Sequence, residues 1–471
     1  MNKKLQRIKY IAVDIITAEF IWIGFFLYRQ YSIDPNQSNN FYENFTDKTF
    51  WYGFVLYPLF WYLIYIMAGM YRRVYKKTRL VEVKETAGTS IIGMLILFFF
   101  LILEDPIFAS ANQTKLFFIF LFSQFLLTYI GRLSITHPTI KKIHARKIGF
   151  NTLLIGSGDN ALNVFGDLEN QKNSSGNKFI GFVNAEKSDK YKIESILPYL
   201  GSISDLPQLI DEYAVEEVVI AIEKSESKFI ISIINELEFF DVVIKIIPLF
   251  HDYIFGKIKT TGMYLTPFIE ISPDLMPAWQ FSVKRILDIS FSILAIVFLI
   301  PIFIIVAFGV KLSSPGSIIF TQERVGKNGR KFKMIKFRSM YSNAEDNGPQ
   351  LSSKIDPRTT KFGAFIRKLR IDEIPQFFII LKGDMSIVGP RPEREYFINQ
   401  IVERAPHFKL MQKVKPGMTS WGQVKFGYAE NIEEMIVRMQ YDILYLENMS
   451  LAMDFKIMIW TVLIVFQGRG K

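Results

Sequence analysis

The 471-residue sequence contains no cysteine, which excludes disulfides, thiolate metal sites and a cysteine nucleophile. It has four histidines, too few to favour a histidine-built metal cage. Acids are outnumbered: 45 Asp and Glu face 56 Lys and Arg, a formal net charge of +11. No nucleic-acid-binding module accompanies that excess, so it is read as basic loops beside anionic headgroups. No small-residue cleavage site follows the apolar run Ile8 to Tyr28, which is read as a retained helix and not as a signal peptide.

What is abundant is apolar. Half of the residues are hydrophobic, with 44 Phe and 21 Tyr, and mean hydropathy is positive. That places the chain among membrane proteins, with length for two or three domains. Runs long enough to cross a bilayer cover 8–28, 50–70, 86–103 and 116–135, a four-helix transmembrane domain over 1–147. Lys3, Lys4, Arg7 and Lys9 precede the first run; Arg72, Arg73, Lys76, Lys77 and Arg79 follow the second; Lys141, Lys142, Arg146 and Lys147 follow the fourth. The intervening loops are poor in basic residues, so both the N-terminus and residue 150 are expected in the cytoplasm. Asp14 and Glu19 lie inside the first run and are read as helix–helix hydrogen-bonding groups, with no partner evident in the sequence.

Over 148–275 the composition turns soluble. Apolar runs at 151–155, 179–183, 218–222 and 242–247 alternate with helix-like stretches, the pattern of a parallel α/β sheet. Gly156-Ser-Gly158 opens a helix after the first run, as in a dinucleotide fingerprint, but alanine stands at the third position, Ala161, and no acid closes a strand at the ribose-binding distance. This is read as a degenerate Rossmann-like accessory domain. Tyr253 and Lys257 match a Tyr-x-x-x-Lys catalytic pair. That keeps a membrane-anchored NAD-dependent nucleotide-sugar dehydratase or epimerase as the alternative, although its Thr-Gly-x-x-Gly-x-x-Gly loop is absent.

The chemistry concentrates in 276–471, above all in Arg367 to Arg394. Asp372-Glu373 stands before Pro375 and an apolar run, then Gly383-Asp384, then Pro390-Arg391-Pro392. Adjacent acids among arginines suit a site that grips a diphosphate, holds Mg2+ and offers a nucleophile to phosphorus. Adjacent acids on a helix diverge by about 100°, so identical roles are not expected. Lys284-Arg285 with Asp288, SSPGS at 313–317, TQERVGKNG, FKMIKFRSM, DPRTTKFGAFIRKLRIDEIPQ, LKGDMSIVGPRPE and KPGMTSWGQV follow in one order. Together they resemble the bacterial sugar transferases, the long multi-pass polyprenyl-phosphate phosphoglycosyl transferases of exopolysaccharide, capsule and O-antigen assembly. Ser420 stands where members often carry glycine, which leaves sugar specificity open.

The resemblance implies a membrane α-helical domain, a Rossmann-like cytosolic α/β domain and an α/β catalytic domain with a re-entrant membrane helix, here 283–310. The residues agree with re-entry. Pro301 interrupts the apolar segment, and a true crossing would export Arg324, Lys327, Arg330, Lys331, Lys333, Lys336 and Arg338, against the charge rule. A hairpin broken at Pro301 is expected, with Ser290 or Ser292 serving freed backbone groups. By the same resemblance Asp372 is the nucleophile and Glu373 supports Mg2+ and orientation. Arg391, Arg338, Lys336, Arg367 and Arg370 are candidate nucleotide and phosphate ligands; Lys284 and Arg285 are candidates for lipid phosphate, with Asp288 paired to one of them. Asp384 is weighed as a second acid near the metal or as a turn residue, and 416–421 as a wall of the sugar or uridine pocket. The implied partners are a UDP-sugar donor and undecaprenyl phosphate at the cytoplasmic face of the inner membrane; self-association is left open. Glu430 to Leu446 and Leu451 to Gln467 read as amphipathic or interfacial helices.

Overall fold

The computed structural model describes residues 2–33, 48–104, 113–184, 191–223, 229–237, 240–247, 268–271, 275–344, 348, 350–351 and 356–467. They fall into two compact units, 1–152 with 162–180, and 153–161 with 181–471.

The first unit carries helices α1 (Lys3–Ile33), α2 (Lys48–Met67), α3 (Arg79–Glu104) and α4 (Gln113–His144). Among the described residues, four helices are long and apolar enough to cross a membrane: Lys3–Tyr28, Lys48–Met67, Phe117–His144 and Ala278–Ser313. The run expected at 86–103 lies in α3. The bundle interior is polar in stripes. Glu82, Thr86 and Ser90 on α3, and Gln124, Thr128, Arg132 and Thr136 on α4, recur every fourth residue and are all buried, one helix face each. The partner that Asp14 lacks in the sequence is Arg132, whose Nε and Nη2 each donate to its carboxylate at 2.7 Å. Tyr71 adds a donor at 2.8 Å, and Glu82 takes Arg132 Nη1 at 3.5 Å.

A six-stranded sheet follows, built from β1 (Phe150–Ile155), β2 (Asn177–Asn184), β3 (Tyr199–Ser202), β4 (Glu217–Ile220), β5 (Val243–Ile246) and β6 (Ile269–Ile271). Its order is β3-β2-β1-β4-β5-β6. β2 runs parallel to β3 and β4 to β5, while β6 closes the edge antiparallel to β5. The order is that of doubly wound α/β sheets. The fingerprint turn leads into α5 (Asp159–Glu169) and is closed from within: the Asn160 amide donates to Glu223 Oε1 at 2.9 Å, and a Cβ on Gly158 would lie 2.5 Å from that oxygen. A carboxylate of the chain itself thus sits where a pyrophosphate would need the helix amides. Tyr253 and Lys257 lie outside the described residues. Two short helices complete this part, α6 (Leu206–Glu212) and α7 (Ile230–Leu237).

Helix α8 (Ala278–Ser313) runs over 36 residues with Pro301 inside it. Ser292 does not serve the proline: its hydroxyl is buried without a hydrogen-bond partner, nine residues from Pro301 where the freed carbonyl is four away. The far side of α8 presents Phe291, Leu294, Val297, Phe298, Ile304, Ile305 and Phe308 outward. Its near side docks at both ends. Close to the start, Lys284 reaches the Val388 carbonyl and Asp288 the Ile387 amide. Toward the end, Val306 and Val310 pack with Phe337 and Ile366.

Those docking partners belong to the rest of the chain. The hairpin β7 (Ile319–Val325) and β8 (Lys331–Phe337) pairs antiparallel in full register. Next come α9 (Lys361–Lys368), a 3-10 turn Ile371–Glu373, α10 (Gln376–Lys382), β9 (Ser386–Val388), α11 (Glu395–Arg404), β10 (Gly417–Thr419), α12 (Trp421–Lys425), α13 (Ile432–Glu447) and α14 (Leu451–Phe466). α14, at 16 residues, is too short to be among the candidate spans, and its Asp454 is buried.

Candidate active site

Strand β8 alternates. Phe332 and Met334 point into a core with Ile379, Ile380 and Met385, and two-residue periodicity continues that face to Lys336 and Arg338. The core therefore ends in two cations. Opposite them, Thr360 caps α9 by accepting from the Gly363 amide at 2.9 Å, and Arg367 lies in the last turn. Arg370, left-handed at φ 55°, breaks the chain into the 3-10 turn that holds both acids. At roughly 120° per residue in such a turn, Asp372 and Glu373 face different neighbours.

A cavity of about 350 Å3 has Lys336, Arg338, Arg367, Asp372, Glu373 and Arg391 in its wall, while Arg370 stands behind it. Both acids are buried. Glu373 Oε1 accepts from Lys336 Nζ at 2.8 Å, and Arg391 and Arg370 stand 3.9 and 3.8 Å from the same carboxylate. Asp372 accepts no hydrogen bond from any described residue. Their acidities separate accordingly. Burial, then the charge of Glu373, raise Asp372 above the ordinary carboxylate range against the pull of Lys336, Arg367 and Arg370. Burial also opposes ionisation of Glu373, but Lys336, Arg370 and Arg391 outweigh it and hold that carboxyl below its usual value. Desolvation lowers Lys336. Tyr428 covers the cations, its ring 5.5 Å from Arg370 and 5.6 Å from Arg391. The Nε–H groups of Arg338 and Arg370 are buried without a hydrogen-bond acceptor, donors that an incoming anion can satisfy.

Other expectations fare differently. Lys284 is not open to a lipid phosphate: its ammonium is buried against Asp454 Oδ2 at 2.6 Å and the Val388 carbonyl at 2.9 Å, which neutralises the charge an anion would need. Arg285 donates to the Ile380 and Leu381 carbonyls at the end of α10. Asp288 pairs with neither, accepting from the Ile387 amide at 3.0 Å. Asp384 lies at the far end of α10, paired with Lys382 at 2.9 Å, so the turn reading holds. The 416–421 segment lines no part of the cavity; Ser420 caps α12 by accepting from the Gln423 amide and Trp421 is buried.

The sequence reading missed Glu393, Arg438, Arg358 and Tyr428, all in the cavity wall. Arg438 Nη2 lies 2.5 Å from Glu393 Oε1, and Arg324 lies 3.3 Å from Oε2. The signal available was a charge at a buried heptad position of α13, where a core residue is expected.

Residues 279–468 match the family described as bacterial sugar transferase, and residues 67–248 the one described as CoA-binding domain. The chain is 38% identical over 229 residues to a UDP-N-acetylgalactosamine-undecaprenyl-phosphate N-acetylgalactosaminephosphotransferase of Aeromonas hydrophila, covering 48% of this chain and 53% of that one. It is 34% identical over 273 residues to a UDP-glucose:undecaprenyl-phosphate glucose-1-phosphate transferase of Xanthomonas campestris pv. campestris, 56% of each chain. To the Klebsiella pneumoniae protein of the same description it is 30% identical over 361 residues, 73% of this chain and 77% of that one. The chain thus spans about half the length of the first two relatives.

Proposed function

The chain belongs to the bacterial sugar transferase family, and on that premise we propose that it moves a sugar 1-phosphate from a UDP-sugar to undecaprenyl phosphate and releases UMP. The observation that carries this reading is the contrast between two adjacent acids in one cation-lined cavity: Glu373 is tied to Lys336, Arg370 and Arg391, whereas Asp372 accepts no hydrogen bond from any described residue. An unbonded, desolvated carboxylate is a nucleophile; a neutralised one is an orienting group.

In the first step an Asp372 carboxylate oxygen attacks the β-phosphorus. The Asp372–phosphorus bond forms, the bond to the bridging oxygen breaks, and UMP leaves with that electron pair. In the second step a phosphate oxygen of undecaprenyl phosphate attacks the same phosphorus and Asp372 departs as carboxylate. Arg391, Lys336, Arg338 and Arg367 grip the diphosphate, and Arg391's fork, fixed between Pro390 and Pro392, suits bidentate contact. Arg370 and Glu373 hold the turn in register. Mg2+ would be held by Asp372, a buried carboxylate in the cavity wall without a hydrogen-bond donor among the described residues, with Glu373 beside it, a hard oxygen set that suits a cation keeping waters and leaning on substrate phosphates. Bound there it would offset phosphate charge that repels the incoming carboxylate.

The apolar outward face of α8 and its attachment at both ends to the same domain support a re-entrant helix in one leaflet of the inner membrane, with the cavity on the cytoplasmic side where nucleotide sugars are. The 148–275 domain is accessory in this reading, and the Glu223-closed turn weighs against an NAD-dependent dehydratase.

Product identification tests the proposal. Detergent-purified protein with Mg2+, undecaprenyl phosphate and a panel of UDP-sugars is expected to release UMP, and Asp372→Asn to abolish that release. Release of UDP would mean ordinary glycosyl transfer, and an NAD-dependent change in the sugar without nucleotide release would move the chemistry to the middle domain.

A further inference from the structure

Gly383 ends α10 in the left-handed region at φ 102°. The space its missing side chain leaves is bounded by two cations: a Cβ there would lie 3.4 Å from a terminal nitrogen of Arg285 and 3.5 Å from Lys415 Nζ. Both side chains are half-buried. Among the described residues Arg285 is held by carbonyls only, Ile380 at 2.7 Å and Leu381 at 2.8 Å, and Lys415 has no ion pair or side-chain hydrogen bond with a described residue. The charges that act on Lys415 are Arg285, Asp288, Lys327 and Asp384. The two acids are engaged elsewhere, Asp384 with Lys382 and Asp288 with the Ile387 amide. Burial and then Arg285 pull Lys415 below the usual lysine pKa. Like charges that flank one turn repel, and more strongly beside a protein than in bulk water. An anion between them removes that cost.

The depth of the pair says what the anion is. Trp279, half exposed, precedes Arg285 on α8, and outward apolar side chains begin directly after it at Ile286 and continue through Phe291, Leu294, Val297 and Phe298. An exposed tryptophan followed by an unbroken apolar face marks the headgroup layer. Gly383 lies at the opposite end of α10 from the acid pair, and a seven-residue helix is about 10 Å long, so an anion here is not the reacting phosphate.

We propose that Arg285, Lys415 and the open turn at Gly383 bind the phosphate of an anionic membrane phospholipid and so seat the catalytic domain on the bilayer at a fixed depth. The site is separate from the cavity and does not depend on the transfer reaction.

The test is lipid retention by the full chain in phosphatidylcholine nanodiscs doped with phosphatidylglycerol, read by native mass spectrometry after release. Wild type is expected to retain phosphatidylglycerol about fivefold over phosphatidylcholine, the scale of one cation at a membrane surface. Lys415→Gln loses the preference and Lys415→Arg keeps it. Gly383→Asn, which fills the turn with a residue that tolerates left-handed backbone, loses it with both cations intact. A preference that survives Lys415→Gln overturns the proposal. So does inorganic phosphate that strips the bound phosphatidylglycerol, which would make this a free-phosphate site, and so does one-for-one displacement by undecaprenyl phosphate, which would make it the acceptor's own.

Discussion

At the scale of single residues, the acid pair shows how a fold makes two neighbouring carboxylates unlike. Both are buried, but the three cations all converge on Glu373. The raised pKa of Asp372 has a signed consequence. Protonated Asp372 suits the folded state, so its contribution to stability is present below the ordinary aspartate pKa and lost as pH rises through the raised folded value. Asp372→Asn is therefore expected to be inactive in UMP release yet more stable than wild type at pH 7.5, by about 1 kcal/mol, with no gain at pH 4; parallel thermal melts check both halves. The acid limb of kcat/KM, which reports ionisation of the proposed nucleophile in the free enzyme, is expected above the usual aspartate range. Glu373→Gln, by contrast, leaves Lys336, Arg370 and Arg391 repelling one another and is expected to lower stability as well as activity.

At the scale of elements, two segments hold charges in place. The SSPGS break puts Gly316 at φ 127°, and a Cβ there would lie 2.1 Å from Arg338 Nη1, while Arg338 Nη2 donates to the Ser314 carbonyl at 2.6 Å. Gly316→Ala is expected to displace Arg338 and raise the KM for the UDP-sugar about tenfold, the cost of one charged contact, with the chain still folded by circular dichroism. In the helical bundle, Arg132 joins α4 to α1 through Asp14 and to α3 through Glu82. Removing one partner of a buried pair costs about 3–5 kcal/mol. Arg132→Leu is accordingly expected to lower the melting temperature in detergent sharply, and Asp14→Asn added to it to restore part of the loss.

At the scale of the whole molecule, the proposed re-entry of α8 would decide on which face of the membrane the candidate site stands. The absence of cysteine makes this directly testable, because a single introduced thiol is the only one labelled. Trp279→Cys and Lys311→Cys, near the two ends of α8 and both exposed, are expected to react with an impermeant maleimide only when the cytoplasmic face is open. Labelling of the two from opposite faces would make α8 a spanning helix and put the cavity outside.

The sequence alone determined what local chemistry and periodicity can carry. Apolar runs gave the helices of the bundle, two-residue alternation in β8 pointed Lys336 and Arg338 the same way, and the motif order around Asp372-Glu373 marked the candidate site that the cavity encloses. Those signals are written in neighbours along the chain. Only the tertiary structure decided pairings between residues far apart: that Arg132 answers Asp14, that Lys284 belongs to Asp454 and not to a phosphate, and that Glu223 closes the fingerprint turn. It also decided that Arg438 and Tyr428, from distant segments, complete the cavity. The physical reason is the same in each case. A charge on a sequence has many candidate partners, and only packing brings one within hydrogen-bonding distance and removes the water that would otherwise make the choice weak.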